Sequence, residues 1–253
     1  MLDDDVLRAL AANCGRAYVA GASAVGRPWQ VEDDLMLSDL GLPIAVPPNN
    51  ATLLREPGDE ASTADVVARA AGFFAAAPGG GYQVWSLWPS LDLAPFGLRP
   101  FDVPCMIRET GGEARPAPAG LEVAEVEDDA GMHEVWRVVD DVFTGGLVPE
   151  PAWDARLLRE DYRVWLGRVD GRAVTTATAS ISDGFVGVYA VATLPQARGH
   201  GYAEAVSWAA TLCRPDLPAT LQASPMGLPV YERMGFATIA AFRVWEGDRA
   251  WRG

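Results

Sequence analysis

Apolar positions in the first half of the chain recur at helical spacing in two places. Leu7, Leu10, Ala11, Cys14 and Tyr18 fall on one face of a 3.6-residue turn. Val66, Val67, Ala70, Phe73 and Phe74 do the same after a capping-like Ser62-x-x-Asp65. Two amphipathic helices are predicted there. Alternation in "DDLMLSDLG", together with "NNATLL" and the aromatic-rich "YQVWSLWPS", predicts extended segments between and after them. Trp85 and Trp88 read as strand core, the commoner fate of a large aromatic in such a run, with the wall of a ligand groove as the alternative.

The second half follows a definite order. "LEVAEVE" reads as a strand, and Met132, Val135, Trp136, Val139, Val142 and Phe143 trace one helix face that stops at Gly145 and Gly146. "PAWDARLLRED", opening on a proline tolerated in a first turn, predicts a shorter helix. Three strands follow, "YRVWLGRV", "RAVTTATASI" and "FVGVYAVATL", divided by the turn signals Asp170–Gly171 and Asp183–Gly184. A helix bearing Tyr202, Ala205, Val206, Ala209 and Cys213 on one face comes next, then the strand "ATLQAS", the compact helix "LPVYERMG" and the strand "ATIAAFRVW". The order is β-α-α-β-β-β-α-β-α-β. Between the halves, "RETGGEARPAPAG" has no apolar periodicity and reads as a linker. The predicted organisation is a first domain over residues 1–110, a linker over 111–120 and a second domain over 121–253.

Composition narrows what such a chain does. Its 253 residues are 49% hydrophobic, enough for one large or two modest cores. Lys and Arg total 20 against 34 Asp and Glu, a net charge of −14 that argues against nucleic acid and anionic membranes as partners. An amine partner is attracted by the same charge. Cys14, Cys105 and Cys213 lie far apart and the histidines are only His133 and His200, so no metal site or disulfide framework is expected. The acidic start "MLDDDVLRAL" and the lack of a membrane-length apolar run lead to the expectation of a cytoplasmic protein.

Candidate chemistry gathers at "QARGHGYAEA", where Gly199 and Gly201 stand beside Arg198 at the head of a helix that follows a strand. Unpaired amides and the helix dipole at such a turn suit an anion. For a Gly-x-Gly taken alone, a plain strand-to-helix connection is the favoured reading. The dinucleotide fingerprint Gly-x-Gly-x-x-Gly fails, because Glu204 holds the place of its third glycine.

Arg198, Gly199, His200, Gly201, Tyr202 and Ala203, preceded by "VATLP" and followed by "VYERMGF", resemble the signature blocks of the GNAT superfamily of acyl-CoA-dependent N-acyltransferases. The resemblance covers residues from about 121 to 253, and "LQASPMGLPVYERMGF" looks closest to the FR47-like branch. It implies a GNAT fold: an α/β domain with a mixed, mostly antiparallel central sheet flanked by helices. The first half is then expected to be a smaller α/β unit, a degenerate GNAT-like copy without the phosphate loop, as in tandem proteins of this kind.

Residue by residue, the resemblance gives Arg198, Gly199, His200, Gly201, Tyr202 and Ala203 to the pyrophosphate of acetyl-CoA, the expected cosubstrate. It places Val191, Ala192 and Thr193 on a splayed strand whose backbone pairs with the pantetheine arm. Tyr231 stands where the family keeps a general acid that protonates the departing thiolate. Ser224 stands where the family often has asparagine. The family's strand glutamate base has no counterpart in "VGVYAVA", which leaves water or Asp140, Asp141 and Glu150 as the alternatives. The expected activity is acetyl transfer to a primary amine by a monomer or homodimer without a metal. The alternative is a non-catalytic acyl-CoA-binding module.

Overall fold

The structure is a computed structural model that describes residues 3–43, 47–76 and 80–247. Helix α1 (Asp4–Ala24) is capped by the Asp3 carboxylate, which accepts from the Asp5 amide at 3.0 Å. Strands β1 (Trp29–Val31), β2 (Leu35–Asp39) and β3 (Asn49–Leu53) form an antiparallel meander. Gly15 of α1 approaches this meander so closely that a Cβ there would sit 2.8 Å from the Met36 sulfur.

Helix α2 (Glu60–Ala75) starts earlier than the Ser62-x-x-Asp65 pattern predicts, because Asp59 is the cap: its carboxylate accepts from the Ser62 amide at 2.8 Å. The helix crosses over to β4 (Tyr82–Ser86), which runs parallel to β3 with Ala51 opposite Val84. Trp85 and Trp88 are buried core, as the strand reading expected, each contributing about 1.5–3 kcal/mol by leaving water.

Strand β5 (Arg99–Arg108) leads into the second unit, where its end pairs antiparallel with a later strand. Strand β6 (Leu121–Glu125) and helix α3 (Asp129–Phe143) follow, the helix capped by Asp128. "PAWDARLLRED" is not a helix of its own. Only Ala155–Leu157 closes a 3-10 turn, because Asp154 folds its carboxylate onto Arg156 and the chain then turns toward the next strand.

The meander is as predicted: β7 (Tyr162–Val169), β8 (Arg172–Ser182) and β9 (Phe185–Thr193) pair antiparallel through two-residue turns at Asp170–Gly171 and Asp183–Gly184. Positive φ at all four turn residues gives the twist that antiparallel hairpins need. Helix α4 (Tyr202–Thr211) then crosses over to β10 (Ala219–Gln222), parallel to β9 and antiparallel to β5. Helix α5 (Leu228–Arg233) and strand β11 (Ala237–Gly247) complete the described chain.

Two compact units result, Cys105–Ile239 and Met1–Pro104 with Ala240–Gly253. In the first-half unit the strand order is β1-β2-β3-β4-β11, and Val244 of β11 lies opposite Trp85 of β4. In the other the order is β5-β10-β9-β8-β7-β6. The division differs from domains cut at 111–120 in two ways. Residues 111–120 lie inside the second unit, and the end of β11 completes the first. Strand pairing between residues more than 110 positions apart decides both, and local composition carries no sign of it.

The units repeat one order of elements. A helix, an antiparallel three-strand meander, a crossover helix and a parallel strand appear as α1-β1-β2-β3-α2-β4 and again as α3-β7-β8-β9-α4-β10. In the second unit, Val186, Val188, Val206, Trp208, Leu221, Tyr231, Met234 and Phe236 form one buried cluster that joins β9 and β10 to α4 and α5.

Candidate active site

Strands β9 and β10 pair only at Ala219 opposite Val186 and Thr220 opposite Gly187. Beyond that point they part, while β10 stays paired with β5 as far as Gln222. The backbone of β9 from Val188 to Thr193 thus keeps an edge with no strand pairing on the β10 side. An extended ligand arm can be held there as though it were another strand.

A bulge shapes this edge. Tyr189 lies opposite Thr178 and Ala192 opposite Thr176, so Ala190 and Val191 together face Ala177. Ala190 takes the bulge with φ +46°, an unfavourable conformation for alanine that strand pairing on either side enforces. Neither Gly nor Asn marks the position, so nothing local in the chain announces the bulge. Val191 packs against the α4–α5 core. The Ala192 carbonyl accepts from the Thr175 hydroxyl at 2.9 Å, and the Thr193 and Thr175 hydroxyls meet at 2.8 Å. The last turn of the strand is therefore fixed from the β8 side.

After Thr193 the chain makes a 3-10 turn over Pro195–Ala197 and enters the glycine loop. The Ala197 and Arg198 amides bond to Leu194 and Pro195 carbonyls, and the Ala205 amide makes the first bond of α4, to Gly201. Among the described residues, no side chain caps α4 and the amides from Gly199 to Glu204 have no acceptor. Gly199 and Gly201 have φ of +81° and +79°. Their role is first conformational: a Cβ at Gly199 would meet open space, and one at Gly201 would lie 3.4 Å from Pro118 Cγ. The result is a concave run of N–H groups at the positive end of a helix dipole. The corresponding helix of the other unit is closed by the Asp59 carboxylate.

Arg198 is exposed and its Nε donates to the Thr193 carbonyl at 3.2 Å, which braces the loop. His200 Nδ1 lies 2.9 Å from the Arg198 carbonyl and its ring stacks on Tyr202 at 5.3 Å. Ala203 lies in the first turn of α4. Ser224 turns the chain into α5, its Oγ accepting from the Gly227 amide at 3.1 Å.

Tyr231 is 8% exposed, within the same buried cluster as Val188 of β9 and Leu221 of β10, against which half-buried Val191 packs. Burial pushes its phenol up to about 12. Ser207, fully buried on α4, is the polar neighbour that works the other way, although the two hydroxyls do not meet in ordinary hydrogen-bond geometry. At neutral pH the phenol is protonated and poised to donate a proton.

Of the carboxylates, Asp140 is buried and committed, accepting from the Val148 amide at 3.0 Å and from the Thr144 hydroxyl. Asp141 lines an open cavity of about 420 Å³ with Glu134, Arg137, Arg172 and Leu194, on the α3 side of β8 and β9. The Arg168 guanidinium holds the Glu134 carboxyl below the usual range. Glu150 is exposed. Among the described residues there is no cluster of His, Cys, Asp and Glu that could hold a metal ion, and no helix is long and apolar enough to cross a membrane.

No family model matches this chain, and no curated protein matches it. Solved structures do. A GCN5-related N-acetyltransferase from Kribbella flavida superposes with a TM-score of 0.65 at 21% identity, covering 92% of this chain and 95% of that one. A GCN5-related N-acetyltransferase-like protein from Streptococcus suis gives 0.56 at 16% identity over 96% and 100% of the two chains. A tandem GNAT protein from the clavulanic acid biosynthesis pathway gives 0.54 at 16% identity over 87% and 79%. At these identities the likeness is one of fold, and the chain has the GNAT fold.

Proposed function

We propose that the chain is an N-acyltransferase that moves an acetyl group from acetyl-CoA to a primary amine. The observation that carries the reading is the parting of β9 from β10 directly before an open amide loop. Diphosphate and an amide-bearing arm are what such a pair of features fits. The amides of Gly199, His200, Gly201, Tyr202 and Ala203 hold the pyrophosphate, and the backbone of Val191, Ala192 and Thr193 pairs with the pantetheine arm.

In the transfer, the amine nitrogen attacks the thioester carbonyl, forming the C–N bond. The C–S bond then breaks and sulfur takes the electron pair. Tyr231 supplies the proton that sulfur accepts, and its position in the core beside the parted strands supports that role. The proton released by the amine goes to water or to Asp141, since Asp140 is occupied by Val148 and Thr144. The net charge of −14 favours the approach of a cationic amine.

One observation favours a second reading, an acyl-CoA-binding module without turnover: β9 carries no carboxylate. Free thiol released from acetyl-CoA over a panel of amines separates the two. Turnover with any amine supports the enzyme, and binding without turnover across the panel supports the module.

A further inference from the structure

Beside the amide loop that the acyl-CoA reading gives to the diphosphate, and on which the following rests, two guanidiniums converge on one carboxylate. Residues 111–120, which sequence composition marks as a linker, pass from beyond the far end of α4 to its start. The Gly111 amide donates to the Pro215 carbonyl at 2.9 Å, and Pro118 lies against Gly201. This course brings Arg115 to Glu204 in the first turn of α4, at 3.6 Å. From α5, Arg233 reaches the other oxygen of the same carboxylate at 3.8 Å.

Such sharing is unusual in this unit. Arg156, Arg168 and Arg214 each hold a carboxylate of their own at 2.6–2.9 Å, and Arg163 holds Glu125 closer still. Around Glu204, two guanidiniums divide one negative charge at long range. Their side chains are 67% and 53% exposed, while that of Glu204 is 14% exposed. One helical turn on, Arg108 lies 4.8 Å over the Trp208 ring and donates to the Met234 and Glu109 carbonyls. Three guanidiniums thus gather beside the diphosphate loop, where the carboxylate of Glu204 is the one that Arg115 and Arg233 both approach.

A phosphomonoester brings about −1.5 to −2 charges at neutral pH and several acceptor oxygens. Guanidinium groups are suited to it. We infer that Arg115 and Arg233 recognise a phosphomonoester on the ligand whose diphosphate the loop holds, so that the site selects coenzyme A over 3′-dephospho-coenzyme A. Glu204 is the counter-ion they share while no such ligand is bound, and a segment expected to be a mere connection becomes part of the binding site.

Calorimetric titration with the two nucleotides tests this. The wild-type chain is expected to bind coenzyme A about tenfold more tightly than the dephospho form, a factor moderated by solvent at exposed arginines. In Arg115→Ala with Arg233→Ala that ratio falls to about one through weaker coenzyme A binding, with circular dichroism reporting the fold. Arg115→Lys, which keeps the charge and loses the fork, gives an intermediate ratio. Glu204→Gln raises the ratio. A wild-type ratio of one, or a ratio that survives the double substitution, overturns the inference and leaves the acyl-CoA reading intact. Failure of wild type to bind either nucleotide overturns both.

Discussion

Gly199→Ala isolates the backbone cost of the amide loop, because a methyl group at that position meets open space. At φ +81° an L-residue costs about 1–2 kcal/mol relative to its relaxed state. Where that energy appears depends on the loop. If the loop keeps its shape, stability falls, by about 2–4 °C in melting temperature for each kcal/mol in a chain of this size. If it relaxes to negative φ, the amides turn away from a common centre, and the same energy appears as about 5- to 30-fold weaker acetyl-CoA binding. Gly201→Ala, whose Cβ would sit 3.4 Å from Pro118 Cγ in ordinary contact at a φ of +79°, is expected to lose about as much as Gly199→Ala. Gly201→Glu adds bulk and negative charge and abolishes binding in a folded protein. Titration calorimetry with acetyl-CoA, paired with thermal melting, measures both shares. Wild-type affinity and wild-type melting in Gly199→Ala and Gly201→Ala together would refute the loop as described.

Further outcomes follow from other parts of the structure. Tyr231→Phe is expected to lower kcat by about 100-fold or more while leaving acetyl-CoA affinity and melting nearly unchanged; an unaltered kcat removes the acid role. Tyr82, Tyr162 and Tyr231 are all held up to about 12 by burial, so the folded chain keeps protons that the unfolded chain loses from about pH 10. Their stabilisation is full below pH 10 and is lost as pH rises through 12, which denaturant titrations across that window measure as falling unfolding free energy. Asp140→Ala leaves the half-buried Val148 amide without its carboxylate partner and costs about 1 kcal/mol in chemical denaturation. Ala190→Val forces a β-branched residue into a left-handed bulge and is expected to destabilise by more than about 1 kcal/mol, with Ala190→Gly close to neutral.

Much of this was legible in the chain because it is local. The periodicity of Met132 to Phe143, the paired Asp–Gly turns and the glycine loop each carry their structure within a few residues. Asp59 shows the limit of even local reading: it lies three residues before the Ser62 expected to cap α2, and the stronger carboxylate acceptor prevails. What escaped is set by distant partners. Pairing on both sides of Ala190 forces the bulge, β4 recruits the end of β11, and Glu204 draws Arg115 out of a segment that reads as featureless. For Tyr231, sequence gave the position while the structure gave the burial that keeps its proton in place.

A crystal structure of the chain with acetyl-CoA tests the central claim most directly. The account predicts the diphosphate within hydrogen-bond distance of the Gly199 to Ala203 amides, the pantetheine arm paired with Val191 to Thr193, and the thioester sulfur in reach of the Tyr231 hydroxyl. A ligand seated away from the β9–β10 parting, or a sulfur that Tyr231 cannot reach, would contradict it.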